Sequence, residues 1–373
     1  MDNYNIEFPA VRGIQAGRIF YTANIPFRAL ARMLQIDIGN VLDRSQRDVN
    51  LSRAKKVSKY IIDNPKSFII PSLTGVLNAA VDFKCSSESE LAGLLVVPMD
   101  AEIKLFDGQH RATGIVDAVH EAGMQSEMVP IMLFVDMSLE DRQQAFSDIN
   151  GNASKPSQSL SDSYNQRDQL PILAKDIANN VECFEGLVEF EKNTVSGNSD
   201  KLFPLKTLKD ATAKFLGLRK NDIVTESQRE LAINYWQAVG RALNWSSTSL
   251  YLAGKSAKDI RDESIKTHGV MLNALGLAGK SLISQYADVE KIDFELLSSL
   301  NFTRYSSDFT DRCIQRDSGA MKSDATAVKL TTNKLLMALG CPLSPDMRQL
   351  EKRFFDKNAI EIDSAPSEKQ EAA

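Results

Sequence analysis

The sequence predicts an α+β fold: a small mixed sheet in the N-terminal part, then a mainly helical C-terminal half. Three observations carry this reading. First, an apolar run (Leu94-Leu95-Val96-Val97, then Ile103, Leu105 and Phe106) leads into a glycine turn. Apolar residues at helical spacing follow from Ala112 to Val119, so the stretch reads as strand, turn, helix. Second, Pro130-Ile131-Met132-Leu133-Phe134-Val135 is a strong strand, expected to run parallel to the one before the turn because a helix separates them. Third, from about residue 160 the apolar period is mostly helical. The expected division is 1–160, 161–355 and a charged, disordered tail over 356–373.

Taken in order, Arg18-Ile19-Phe20-Tyr21-Thr22 is a strand. Pro26 opens a short amphipathic helix with Phe27, Leu30, Met33 and Leu34 on one face. A second helix follows Asn50, with Leu51, Ala54, Val57 and Ile61 at helical spacing. Arg53, Lys55, Lys56 and Lys59 occupy the rest of it, and residues 41–60 hold six basic and two acidic side chains. That face is either an ordinary solvated surface or a contact for a phosphate backbone. Phe68-Ile69-Ile70 and Gly75-Val76-Leu77 read as a strand or hairpin arm. Ser138, with Asp141 three residues on, signals a helix start, and the helix should run to about Ile149. Residues 184–190 suggest a short strand and 193–200 an exposed loop. Residues 201–220 carry six basic and one acidic side chain on a helical pattern. Lys206, Lys209 and Lys214 lie opposite Leu205, Leu208, Phe215 and Leu216, the best candidate surface for nucleic acid in the chain, with an ordinary solvated helix face as the alternative.

The turn itself concentrates the chemistry. Asp107, Gly108, Gln109, His110 and Arg111 bring a carboxylate, an amide, an imidazole and a guanidinium to one helix start. Backbone N–H groups at such a terminus suit an anion, and Gly108 allows close approach of a ligand. His110 is placed for general acid or base work on a phosphoryl group. Asp107 is placed to hold Mg²⁺ with a nucleotide, the one cofactor the turn suggests. The competing reading is a solvated turn in which Asp107 caps the helix and pairs with Arg111.

These residues spell the signature of the DGQHR-domain family, and the chain resembles that family. Within it the likeness is to DndB of bacterial DNA phosphorothioation systems. Phe146-Ser147-Asp148-Ile149-Asn150-Gly151-Asn152-Ala153, with Lys155-Pro156-Ser157, resembles the second family motif. Phe68-Ile69-Ile70-Pro71 resembles the strand upstream of the signature. The likeness spans roughly residues 10–280. By fold-level analogy the turn is also similar to phosphate-binding turns of ParB-type and sulfiredoxin-type proteins. The resemblance implies a DNA-binding, negative transcriptional regulator of the modification gene cluster, acting at that cluster's promoter. It also implies that the second motif lies near the turn. There Asn150 and Asn152 would hydrogen-bond a ligand or orient His110, and Lys155 would add charge. Two other readings stay open: a nucleotide-hydrolysing or DNA-nicking enzyme, and an interaction partner of the modification enzymes.

Composition narrows the rest. The 373 residues are enough for two domains, and 43% hydrophobic content supports a sizeable core. The net charge of -5 means that any DNA contact must come from local patches. Cys85, Cys183, Cys313 and Cys341 form no CxxC pair, and His110, His120 and His268 lack metal-site spacing, so no transition metal is expected. Residues 1–10 lack an apolar segment, and no run is long enough to span a bilayer, so a cytoplasmic protein without membrane partners is expected. The Gly-Lys-Ser triplets at Gly254 and Gly279 lack the upstream glycine of a P-loop. The operator sequence is not legible in the chain, and a homo-oligomer remains open.

Overall fold

A computed structural model describes residues 4–35, 49–151 and 155–363, with side chains through 356. Contacts divide the chain into two compact units, Met1–Ser154 and Lys155–Ala373. Each has its own apolar core. The α+β class holds, with the mixed sheet in the first unit and helices dominating the second.

In the first unit, β1 (Asn5–Gln15) and β2 (Arg18–Pro26) form a hairpin around Ala16 and Gly17, both at positive φ. Such a two-residue turn matches the twist of the strands it joins. Helix α1 (Phe27–Met33) buries Phe27, Leu30 and Met33 and leads to the short β3 (Leu34–Gln35). Helix α2 (Leu51–Asp63) starts at Asn50, whose side chain accepts from the Arg53 N–H, as an N-cap should. Strands β4 (Leu73–Leu77), β5 (Asp82–Cys85), β6 (Ala92–Pro98) and β7 (Ile103–Asp107) follow. Then come α3 (Gln109–Ala122), β8 (Met128–Val135) and α4 (Leu139–Gly151). The eight strands are ordered β3-β7-β4-β8-β2-β1-β6-β5.

Two expectations need correction. Strand β8 is not parallel to β7. It pairs parallel with β4, which pairs antiparallel with β7, so β7 and β8 run in opposite directions with β4 between them. Strand β8 is fixed instead by antiparallel pairing with β2, from Phe20↔Phe134 to Pro26↔Met128, which buries Val129, Ile131 and Leu133. Residues 68–70 are not a strand. Phe68 packs its ring 6.2 Å from Phe27 while Ile69 is exposed, and Pro71 has no N–H to give a ladder.

The second unit contains α5 (Gln158–Tyr164), α6 (Gln169–Asn180) and a two-stranded sheet of β9 (Val188–Glu189) and β10 (Phe203–Pro204). Then come α7 (Leu205–Leu216), α8 (Glu226–Leu243), α9 (Ser247–Leu252) and α10 (Ala257–Glu263). The unit closes with α11 (Gly269–Tyr286), α12 (Ala325–Ala338) and α13 (Pro345–Asp363). Trp236, Trp245, Phe184 and Phe203 form its aromatic centre, and Phe215 stacks on Tyr235 at 4.1 Å. The tail expected over 356–373 falls partly on α13 and otherwise outside the described residues.

Candidate functional site

The signature turn sits where β7 ends and α3 begins. Gly108 is the N-cap of α3 in the left-handed region, φ 92°, with no side-chain cap. Only glycine takes that conformation without strain. A Cβ there would also lie 2.6 Å from Leu73 Cδ2 and 3.1 Å from an Arg111 guanidinium nitrogen. The first N–H groups of the helix have no partner within it. The turn therefore presents helix-start backbone N–H groups, those of Gln109 and Arg111 among them, beside the Arg111 guanidinium.

Its side chains divide into inward and outward sets. Gln109 is buried and donates from Nε2 to the Leu105 carbonyl at 3.2 Å, bracing the turn from inside. Arg111 and Asp107 form an ion pair at 2.6 Å with side chains 23% and 34% exposed. His110 is half-buried, and its Nε2 accepts the backbone N–H of Asn50 at 3.1 Å. A nitrogen that accepts carries no proton, so this geometry places the ring proton on Nδ1. Asn50 is the cap of α2, so the starts of α2 and α3 are tied together through His110. Gly114 brings the helices close, because a Cβ there would lie 2.7 Å from both the Ala54 carbonyl oxygen and Val57 Cβ. Asn50 and Gly114 were not singled out as site residues from sequence. Asn50 carries a capping signal, but its bond to a histidine sixty positions away has none.

Helix α2 then displays Arg53, Lys55, Lys56 and Lys59, all exposed, while Ala54, Ser58 and Ile61 are buried. The basic stripe and the signature turn thus belong to one packed pair of helices.

The remaining candidates are placed differently. Asn150 is exposed on α4, and its amide donates to the Phe146 carbonyl of the same helix at 2.8 Å. Asn152 lies outside the described residues. Lys155 is exposed at the start of the second unit. On α7, Lys206 pairs with Asp210 at 2.7 Å. Lys209 pairs with Asp162 at 2.6 Å, with side chains only 14% and 4% exposed. Lys214 donates to Asn273 Oδ1 at 2.6 Å, and burial lowers its pKa below the usual lysine value. Lys209 and Lys214 are committed to internal partners and Lys206 shares a partly exposed carboxylate one turn on, unlike the open face of α2.

A family model described as DndB, DNA-sulfur modification-associated, matches residues 8–342. The chain belongs to the DndB family. The match takes in the signature turn, both basic helices and nearly all of the two units, so the signature does not stand on a borrowed fragment. Membership makes this a protein of a DNA sulfur modification system. No curated protein and no solved structure matches the chain. Among the described residues, no group of three or more His, Cys, Asp or Glu side chains is arranged to hold a metal ion. Among them too, no helix is long and apolar enough to cross a membrane.

Proposed function

We propose that this DndB-family protein binds duplex DNA through the first unit and acts as a negative regulator at the promoter of its own modification gene cluster. The observation that carries this is the joined pair α2–α3. An exposed stripe of four cations continues from the start of α2, where the His110–Asn50 bond ties it to the α3 start and Arg111. A phosphate chain needs cations along a line and N–H groups at a helix start, and this surface offers both. Family membership supports the setting in DNA modification.

In this reading Gly108 and the α3 start take a backbone phosphate, Arg111 swings from Asp107 to it, and the α2 stripe carries the neighbouring phosphates. Gln109 and His110 are positioning residues. Asn150, Asn152 and Lys155 remain proposed accessory contacts, as do Lys206, Lys209 and Lys214 on the second unit. Contact with other phosphorothioation proteins and self-association are compatible with this arrangement.

The test is a salt titration of binding to that promoter. Each phosphate contact adds about 0.9 to the slope of log affinity against log salt. Reversing Lys55, Lys56 and Lys59 to Glu should flatten the slope by about 2 to 3, equally on promoter and random duplex. An unchanged slope removes α2 from the interface, and a wild type without promoter preference removes the regulator reading.

A further inference from the structure

A second anion site lies in the helical unit, away from anything the family signature marks. A cleft of about 600 Å³ is lined by Lys206, Arg261, Asp262, Thr267, His268 and Arg304. That volume falls in the range of small-molecule pockets.

Its charged side chains are three cations against one carboxylate. Arg261 donates to the carbonyls of Lys201, Ser196 and Gly197, and Arg304 donates to the Arg261 carbonyl and faces His268 Nε2 at 2.9 Å. Neither guanidinium has a carboxylate partner among the described residues. Arginine only donates, so His268 Nε2 accepts and its Nδ1 carries the proton. The 18-residue helix α11 begins at this cleft with His268 as its N-cap and no side-chain cap, leaving the Gly269 and Val270 N–H groups at its lining. Thr267 is 4% exposed, and its hydroxyl is buried without a hydrogen-bond partner, as is Arg304 Nε. Buried donors are rarely left unmatched, and paired guanidinium charges without a carboxylate invite an anion. Asp262 is the one carboxylate in the lining and is exposed at its surface, while Lys206 is shared with Asp210.

We propose that this cleft binds the phosphoryl group of a small phosphorylated molecule of nucleotide size. Oxygens of the group take the α11 start, and small rotations of Arg304 and Thr267 bring Arg304 Nε and the Thr267 hydroxyl, both closed to solvent, onto them, with Lys206 and Arg261 adding charge. A concave site favours a free ligand over a duplex backbone, which needs an open track. The proposal is independent of the α2–α3 surface.

Calorimetry of the full chain with inorganic pyrophosphate and with ADP tests it. Both should bind saturably, and Arg304→Gln should weaken both by about tenfold or more, the loss of one charge-assisted hydrogen bond. Thr267→Val keeps shape and removes no existing bond, so it should weaken binding with no fall in melting temperature. Asp262→Asn should tighten binding. Arg111→Ala, which alters only the signature turn, should leave the affinity unchanged. Absence of binding to the wild type, or unaltered affinity in a folded Thr267→Val and Arg304→Gln, overturns the site. Loss of ADP binding in Arg111→Ala places the ligand at the signature turn and overturns it too. If Arg304→Gln weakens duplex binding while pyrophosphate never binds, the small-molecule assignment is wrong.

Discussion

The Asn50 backbone N–H donates to His110 Nε2 at 3.1 Å, so the N-cap of one helix is held by an imidazole at the start of another. Losing that acceptor leaves a helix-start N–H to find water. His110→Ala should therefore destabilise the first unit by about 1 kcal/mol. It should also loosen α2, seen as faster amide exchange over its first turn and weaker duplex binding. His110→Asn, which restores an acceptor, should recover part of both. An enzyme using His110 would in addition lose phosphate release, which His110→Asn would not restore.

The Asp107–Arg111 pair predicts a variant whose stability and binding respond separately. The pair is partly exposed, so Arg111→Ala should change stability by about 0–1 kcal/mol. Its loss of duplex affinity should be well above what that small change explains. A thermal melt beside a binding isotherm checks this, and an unfolded variant would make the arginine structural.

Gly108→Ala combines positive φ with a contact on Leu73. The strained backbone alone should lower stability by about 1–3 kcal/mol in urea unfolding. Gly123, the α3 C-cap at φ 65° with open space around it, should show only the smaller conformational part.

Lys209 and Asp162 form a nearly buried pair, so the two basic helices should answer charge reversal differently. Asp162→Ala or Lys209→Ala should each destabilise the second unit by about 3 kcal/mol, because the remaining charge is left buried. Reversal on exposed α2 should stay within about 0.5 kcal/mol. Circular-dichroism melts separate the two, and any loss of DNA binding on reversing Lys209 must be read against that melt.

His268 gives the molecule an acid-sensitive point. Burial first, then the adjacent Arg304, pushes its pKa down from 6.5 to about 4. The unfolded chain thus binds the proton more readily, so stability rises with pH across this window and is lost as pH falls from about 6.5 to about 4. The loss should approach about 3 kcal/mol at the low end. Lys206, Arg261 and Arg304 share the cleft and oppose protonation, while Asp262 favours it. Urea unfolding at several pH values should show the slope, and His268→Gln should flatten it.

Residue type and spacing alone determined much of this protein. The strand–glycine–helix unit, the Asn50 and Ser138 helix starts and the helical second half are local properties, set by side-chain period and capping within a few positions. The signature and its family could be read the same way, because the residues are contiguous. Direction and partnership were decided by the tertiary structure. Strand β8 looked parallel to β7 because a helix separates them, but pairing with β2 and β4 set its course. Strand β1 has no counterpart in the sequence reading, and its pairing with β2 and β6 on either side is what places it. Two basic helices looked alike in sequence. Only packing showed that α7 turns Lys209 onto Asp162 while α2 keeps its cations in solvent. The cleft around Arg304 had no sequence signal, because its residues come from segments far apart that meet only when the second core closes.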